Sequence, residues 1–340
     1  MRLIGRSEGG HAGILTRLFS WLAALVNRYQ GEASRTLIRR LAWVTVGFTY
    51  FLVALGGTVR VNNAGLGCPD WPLCYGQLLS WQSIGALLEE SHRYTASIVS
   101  VLVIVLCVSI YVWARHEKQL FIPALIAPCI LVIQIVLGGL TVLMKLSGPI
   151  ITSHLATAQA LFATILFIAG MSAITKPNRE SPEKTRRFAR LAVINALLVY
   201  GLLLSGSYVF NSGASLACPG WPLCGAAPAW AIRFHLSDVN MFHRYVAALV
   251  GLVMIWTLLA ALLRRCVAPG QAALAIVTGI FFIAQSSVGA LVVLLNKPIY
   301  IADLHLALAT AVWGCMALMA VLALRQWRIA PQTIDGGVNK

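Results

Sequence analysis

Four of the seven histidines in this 340-residue chain stand where they could bind a metal. His92 and His154 lie near the starts of two apolar stretches in the first half of the chain. His243 and His305 repeat this arrangement 151 residues later. A polar ring in an apolar membrane helix is costly and usually has a partner. Two neutral imidazoles on facing helices are the ligand set of a six-coordinate haem, so the pattern predicts a bis-histidine haem site in each half.

Zinc ligation and structural hydrogen bonding are the alternatives for these histidines. Zinc would require further cysteine, histidine or carboxylate ligands at the same level, and only the first half has a carboxylate three residues before a candidate histidine. Arg93 and Arg244, which directly follow His92 and His243, are predicted to pair with haem propionates through charge-assisted hydrogen bonds. An anchor at the membrane interface is the alternative role for both arginines.

One carboxylate distinguishes the first half from the second. Glu89 precedes His92 by three residues, whereas Asn240 precedes His243 by three. This spacing puts Glu89 on the same face as His92, provided that the helix already extends that far, while Glu90 points away. A partly buried carboxylate can transfer protons or stabilise a developing cation, so Glu89 is predicted to be catalytic. A loop acid exposed to water is the alternative.

The heptapeptides CPDWPLC and CPGWPLC occur 150 residues apart and supply two cysteine pairs. Cys68–Cys74 and Cys218–Cys224 are each predicted to form a local disulfide on the oxidising side of a membrane. One zinc ion bound by all four cysteines is the alternative. The second disulfide is predicted to be structural, whereas the first could be structural or could exchange with thiols as an exposed loop disulfide.

These candidate residues lie in a chain that has the composition of a membrane protein. The chain is 59% hydrophobic and 11% charged, with a mean hydropathy of +0.80. Its net charge of +15 lies in short clusters between apolar runs, a pattern of membrane topology and not of a nucleic-acid partner. A helix needs about 20 apolar residues to cross a bilayer, and the runs lack the alternation of a barrel strand. The predicted spans are Leu41–Val59, Tyr94–Ala114, Leu120–Met144, Ile150–Ile174, Leu191–Phe210, Tyr245–Leu263, Ala272–Leu295 and Leu304–Leu324.

The positive charges predict the orientation of the chain. With both termini in the cytoplasm, 20 of the Lys and Arg residues lie inside and 6 lie outside. The two cysteine loops then face the outer side of a cell (inner) membrane. Residues 13–28 are predicted to form a helix in the inner membrane surface, and a targeting peptide is the alternative.

An internal repeat divides the membrane region into two four-helix halves of the same orientation, related by an axis near the membrane normal. The matching segments are SHRYTASIVSVLV (91–103) with FHRYVAALVGLVM (242–254), QIVLGGLTVL (134–143) with QSSVGALVVL (285–294), and ITSHLATAQALFA (151–163) with ADLHLALATAVWG (302–314). The predicted units are an N-terminal extension (1–40), an N-terminal half (41–175), a cytoplasmic linker (176–190), a C-terminal half (191–325) and a cytoplasmic tail (326–340). The fold class is therefore all-α integral membrane, with eight transmembrane helices in two pseudo-symmetric bundles.

Residues 41–325 resemble the haem A synthase family. The likeness rests on GGTVRVNNAGLGCPDWPLCYG, EESHR, ITSHLATA, CPGWPLC, FHRY and DLHLALAT. The resemblance implies an oxidoreductase that converts the C8 methyl of haem O to the formyl group of haem A. It implies partnership with haem O synthase, a protohaem farnesyltransferase, and with terminal oxidase assembly.

The resemblance also implies roles for individual residues. His92 and His154 would hold the substrate, haem O, and the product, haem A, with Glu89 as the catalytic carboxylate. His243 and His305 would hold a resident haem b in the C-terminal half. The cysteine pairs would correspond to the family's loop disulfides.

Two rival functions are open at the level of sequence. A di-haem b-type cytochrome that only transfers electrons would explain the four histidines but not Glu89. A transporter built from repeats would usually carry charged residues at mid-membrane, and the eight runs contain none. The sequence leaves open the electron acceptor, the source of the inserted oxygen and the oligomeric state, with a homo-oligomer among the options.

Overall fold

The computed structural model describes residues 31–80, 82–173, 182–225, 236–263 and 269–329. These residues form eight long helices and one 3₁₀ turn at Ala214–Leu216, and all eight helices are long and apolar enough to cross a membrane. This confirms the prediction of an all-α integral membrane protein. The helices are α1 (Glu32–Val61), α2 (Ile84–Trp113), α3 (Lys118–Leu143), α4 (Gly148–Ser172), α5 (Pro182–Asn211), α6 (Leu236–Leu263), α7 (Pro269–Leu294) and α8 (Ile299–Ile329).

Several helices begin well before the apolar run that predicts them. Helix α2 begins at Ile84, ten residues before Tyr94, and Ser83 caps it by accepting a hydrogen bond from the backbone N–H of Ala86. A helix satisfies its backbone hydrogen bonds internally, so it need not end where the apolar sequence ends. As a result, Glu89 lies inside α2, which meets the condition for placing it on the face of His92.

The segments outside the apolar runs are described only in part. The predicted interfacial helix at residues 13–28 lies outside the described residues. Helix α1 already begins at Glu32, α5 begins at Pro182 and α8 continues to Ile329. Helical structure therefore reaches into the predicted extension, linker and tail, whose residue boundaries stay predictions.

The helices pack as two closed rings of four. Helix α1 packs against α2, α2 against α3, α3 against α4, and α4 against α1; α5 to α8 repeat this order. Helices α1, α4, α5 and α8 also form the contact between the rings. Consequently α2 lies diagonally opposite α4, and α6 diagonally opposite α8. Sites built in the core of such a bundle take side chains from facing helices.

The contact between the rings contains a symmetric pair of hydrogen bonds. The hydroxyl of Tyr50 on α1 donates to the carbonyl of Ala307 on α8 over 3.2 Å. Tyr200 on α5 donates to the carbonyl of Ala156 on α4 over 3.0 Å. The donors are 150 residues apart and the acceptors 151, which is the offset of the sequence repeat. Each bond fixes a helix two residues after a candidate ligand histidine.

A methyl group added between α4 and α8 should destabilise the protein, because these helices pack closely, whereas one added on an open helix face should not. A Cβ added at Gly314 on α8 would lie 2.8 Å from Cε1 of Phe162, a side chain that is 3% exposed. Gly314→Ala is therefore expected to lower the free energy of unfolding by about 1–3 kcal/mol. Thermal unfolding of the purified protein in detergent, followed by tryptophan fluorescence, measures this loss.

Gly201→Ala on α5 is the matched control. A Cβ added there has no neighbour within 4 Å, so the substitution should leave stability unchanged or raise it by up to about 1 kcal/mol. Equal shifts of Tm in the two variants would contradict this account of the contact.

Candidate functional site

The four candidate ligand histidines stand at one height in the bundle. They are the ninth residue of α2, the seventh of α4, the eighth of α6 and the seventh of α8, and these helices all start at the end that carries the cysteine loops, here called the disulfide end. A difference of two residues is about 3 Å along a helix axis. Because α2 faces α4 and α6 faces α8, the structure brings the histidines together as two cross-bundle pairs.

In the first ring, each histidine packs against a glycine of a neighbouring helix. A Cβ added at Gly56 on α1 would lie 3.1 Å from Nε2 of His92. A Cβ added at Gly138 on α3 would lie 3.3 Å from Cε1 of His154. Any larger residue would press on the rings, so the two glycines set how far each imidazole can sit from the centre of the bundle.

The second ring repeats these contacts. A Cβ added at Gly206 on α5 would lie 3.2 Å from Cε1 of His243, and one added at Gly289 on α7 would lie 2.8 Å from Cε1 of His305. The repeat offset relates each of these glycines to one in the first ring. These glycines are not among the site residues predicted from the sequence, although they recur at the same 150- to 151-residue offset as the histidines.

A glutamine one turn before the glycine on α3 and α7 contacts the same ring. The side-chain nitrogen of Gln134 lies 3.3 Å from Nε2 of His154, and that of Gln285 lies 3.3 Å from Nε2 of His305. Both glutamines stand in repeat segments that the sequence comparison matched, yet their role was not predicted. Each of these two histidines therefore lies between the side-chain amide of a glutamine and the backbone of a glycine on the same neighbouring helix.

The residues at the two sites fit a haem with histidine ligands. Nδ1 of His154 and Nδ1 of His305 are buried and have no hydrogen-bond partner among the described residues. Within the described ranges, Oε1 of Gln134 and Oε1 of Gln285 are buried without a partner as well. With each amide turned over, its oxygen would accept from Nε2–H of the histidine, and the lone pair of Nδ1 would be left for a metal, which would satisfy both buried atoms. The described residues at this height supply no additional cysteine or carboxylate cluster with the histidines that would complete a zinc site.

Glu89 is buried and joins α2 to the first cysteine loop. Its side chain is 5% exposed; one carboxylate oxygen accepts from the backbone N–H of Cys68 over 2.9 Å, and the other pairs with Arg93 at 2.6 Å. A Cβ added at Gly67 would overlap the backbone of Gly85, so glycine allows the loop to approach α2 this closely. The alternative of a water-exposed loop acid is wrong for Glu89.

Both arginines donate hydrogen bonds to carbonyls of their cysteine loops. Arg93 donates to the carbonyls of Asp70, Pro72 and Leu73, at 3.0, 3.2 and 2.6 Å, besides its pair with Glu89. Each arginine thus holds its cysteine loop at the disulfide end of its four-helix ring. Their pairing with haem propionates stays a prediction.

The second loop is also held by an arginine and by the residue four positions before it. That residue, Asn240, donates to the loop, whereas Glu89 accepts from the first loop. Arg244 donates to the carbonyls of Cys218, Gly220 and Pro222, at 2.9, 2.6 and 3.1 Å. It also donates through Nε to Asn240 over 2.7 Å. Where Glu89 accepts from a loop amide, Asn240 donates to the carbonyls of Ala214 and Ser215. Both residues tie loop, helix and arginine together, but only Glu89 brings a negative charge.

The cysteine pairs are two separate disulfides. The Cα atoms are 4.7 Å apart in Cys68–Cys74 and 4.6 Å apart in Cys218–Cys224, which excludes one zinc bound by all four cysteines. Cys68 and Cys74 are 0% and 2% exposed. The first disulfide is therefore not the exposed loop disulfide on which the exchange hypothesis was based. Glu90 is also buried and accepts from the backbone N–H of Ser80 over 2.6 Å, so it serves the loop.

Asp70 holds the chain that follows the first disulfide. Its carboxylate accepts from the backbone N–H groups of Tyr75 and Gly76, at 2.6 and 2.7 Å. These hydrogen bonds hold the pKa of Asp70 below its usual range. Gly220 occupies the matching position in the second loop and can supply no such bond.

The order of the first loop is therefore expected to depend on pH. A carboxylate whose pKa is lowered by folding stabilises the folded loop above its ordinary pKa of about 3.9 and loses that effect as pH falls through the lowered value. Protection of the Tyr75 and Gly76 amides, measured by hydrogen exchange with mass spectrometry, should decline below about pH 4. Asp70→Asn should reduce it already at pH 7, with the second loop as internal control. Unchanged protection in Asp70→Asn would contradict the assignment.

Comparison with known proteins agrees with these features. Residues 39–317 match the family model described as COX15-CtaA, cytochrome oxidase assembly protein. The haem A synthase of an Exiguobacterium sp. is 30% identical over 290 residues, which cover 83% of this chain and 92% of that protein. The haem A synthase of Geobacillus thermodenitrificans is 28% identical over 310 residues, covering 88% and 96%. Because this family model matches most of the chain, including all four candidate histidines and both disulfide loops, the chain belongs to the COX15-CtaA family of cytochrome oxidase assembly proteins.

Proposed function

We propose that this protein is a haem A synthase, an oxidoreductase that oxidises the C8 methyl of haem O to the formyl group of haem A. The family, the similarity to haem A synthases and the two cross-bundle histidine pairs support this function. The observation that carries the proposal is the buried carboxylate of Glu89, which lies three residues before His92 in α2 and has only an amide as its counterpart in the second ring.

The two rings take different roles in this proposal. His92 and His154 hold the substrate haem in the N-terminal ring, and His243 and His305 hold a haem b in the C-terminal ring. A haem bound there supplies redox chemistry through its iron, which the side chains of the protein lack. The helices contribute a lipid-facing surface on which the apolar tail of the substrate can lie.

The protein's own contribution is position and charge. Removing two electrons and a proton from the methyl group, with the electrons passing to an acceptor through the haem iron, would leave an electron-poor carbon at the edge of the porphyrin. A fixed carboxylate can stabilise such a centre or accept the proton. Glu89 is held for this task by the N–H of Cys68 and by Arg93, so its charge does not need to reorganise during the reaction. A Cβ added at Gly139 on α3 would lie 3.2 Å from Cδ2 of Trp71 in the first cysteine loop, so the loop reaches across the disulfide end of this four-helix ring and would limit access of water to a haem bound there.

Cellular context follows from the same proposal. The excess of Lys and Arg on the side opposite the disulfide end supports a topology with both termini in the cytoplasm and the disulfide end outside a cell (inner) membrane. Haem O then arrives from haem O synthase, and haem A leaves for terminal oxidase assembly. These partners, like a homo-oligomeric state, are part of the proposal.

The test is the haem product of Glu89→Gln. Wild type and variant are expressed in a host that makes haem O but lacks its own haem A activity, and extracted haems are separated by chromatography with mass detection. Wild type should yield haem A. Glu89→Gln keeps the size and a hydrogen-bond acceptor but loses the charge, so haem A should fall about 100-fold or more, with haem O or a partly oxidised alcohol remaining.

Glu90→Gln is the matched control, because Glu90 is equally buried and adjacent, and among the described residues it bonds only to the Ser80 amide. It should keep haem A production while the loop becomes less stable. Full activity in Glu89→Gln would remove Glu89 from the chemistry. A folded wild type that holds haem b and leaves haem O unchanged would overturn the synthase and favour the di-haem electron-transfer cytochrome.

A further inference from the structure

The two histidines on α2 and α6 differ in how their rings are held. Nδ1 of His243 lies 2.7 Å from the hydroxyl oxygen of Ser205 on α5. That oxygen also lies 2.7 Å from the carbonyl of Leu202. A hydroxyl has one proton and a carbonyl can only accept, so Ser205 donates to Leu202 and accepts from Nδ1–H of His243. The tautomer of His243 is thereby fixed, and the lone pair of Nε2 is left for a metal.

The first ring has no such contact. Leu55 occupies the position that corresponds to Ser205, 150 residues earlier, and has no hydrogen-bonding group in its side chain. The register is secure because the next residue on each helix, Gly56 or Gly206, faces the histidine ring. In the described part of the chain, no residue makes a hydrogen bond to either ring nitrogen of His92.

The opposite ligand of each pair does not differ between the rings. Gln134 contacts Nε2 of His154 and Gln285 contacts Nε2 of His305, both at 3.3 Å. Among the described hydrogen bonds to the histidine rings, the two sites therefore differ only at the ligand on α2 or α6.

We propose that Ser205 makes His243 a fixed ligand that retains its haem, whereas Leu55 leaves His92 free to turn away and release its haem. This inference rests on the proposed function, in which the N-terminal haem enters as substrate and leaves as product while the C-terminal haem stays. A hydrogen bond to the second imidazole nitrogen orients the ring and raises the basicity of the metal-bound nitrogen. Its absence lowers the retention of the haem.

The first experiment measures haem retention in the C-terminal ring. Haem loss from purified protein to apomyoglobin is followed optically, in a His92→Ala background that removes the N-terminal site. Ser205→Ala should accelerate haem loss by about 10–100-fold, the usual effect of removing a ligand's hydrogen-bond partner. Ser205→Thr keeps the hydroxyl and should restore slow loss.

The reduction potential of the C-terminal haem is a second measurement. A general loosening of the fold would not shift this potential in a predictable direction. Without the bond from Nδ1–H, the imidazole donates less electron density, and the ferric haem is less stabilised. The potential should therefore rise in Ser205→Ala and return in Ser205→Thr. Ser207→Ala removes a hydroxyl that contacts Thr152 on α4 and should change neither measurement.

The reverse substitution tests the first ring. Leu55→Ser in a His243→Ala background should slow the release of haem from the N-terminal site, by a similar factor of about 10–100. Equal release rates and potentials in Ser205→Ala and the parent protein, with haem bound in both, would overturn the inference alone. A folded parent protein that binds no haem in either ring would overturn the proposed function instead.

Discussion

The packing of four imidazole rings against glycines of neighbouring helices is the constraint on which the rest of the structure depends. A polar ring inside an apolar bundle is tolerated only where it has partners and space. The glycines at 56, 138, 206 and 289 give that space by bringing a backbone, and not a side chain, beside each ring. Helix spacing, and therefore the width of each four-helix ring, is set at this height by these contacts.

The disulfide loops are positioned from the same helices. One turn before the histidine on α2, a buried carboxylate accepts from the loop, and the arginine that follows the histidine donates to several loop carbonyls. Helix α6 holds its loop with Asn240 and Arg244 in the same places. About one helical turn thus carries the histidine, the carboxylate or amide before it and the arginine that holds the loop. A shift of the loop would therefore also move the histidine.

Duplication explains the common scaffold, and a few substitutions explain how the rings differ. Glu89 against Asn240 changes the charge beside the site, and Leu55 against Ser205 changes whether a histidine is tied. Both differences lie next to the same histidine position, on α2 or α6. The opposite ligands, on α4 and α8, keep the same glutamine and glycine partners. Two residues after each of these ligands, a backbone carbonyl accepts a hydrogen bond from Tyr200 or Tyr50 of the other four-helix ring. The glutamine and glycine contacts of the ligands on α4 and α8 are the same in both rings, whereas the contacts of the ligands on α2 and α6 differ.

The sequence by itself determined the membrane class, the eight spans and the height of the histidines, because hydropathy and a 150-residue repeat are properties of the chain alone. It also singled out Glu89, although only a helix beginning at Ile84 placed that residue on the face of His92. The tertiary structure decided what lies beside each ring. The glutamine contacts, the arginine bonds to loop carbonyls and the tie between Ser205 and His243 join residues from different helices. No pattern along one helix specifies which neighbour it will face, because that depends on how all eight pack.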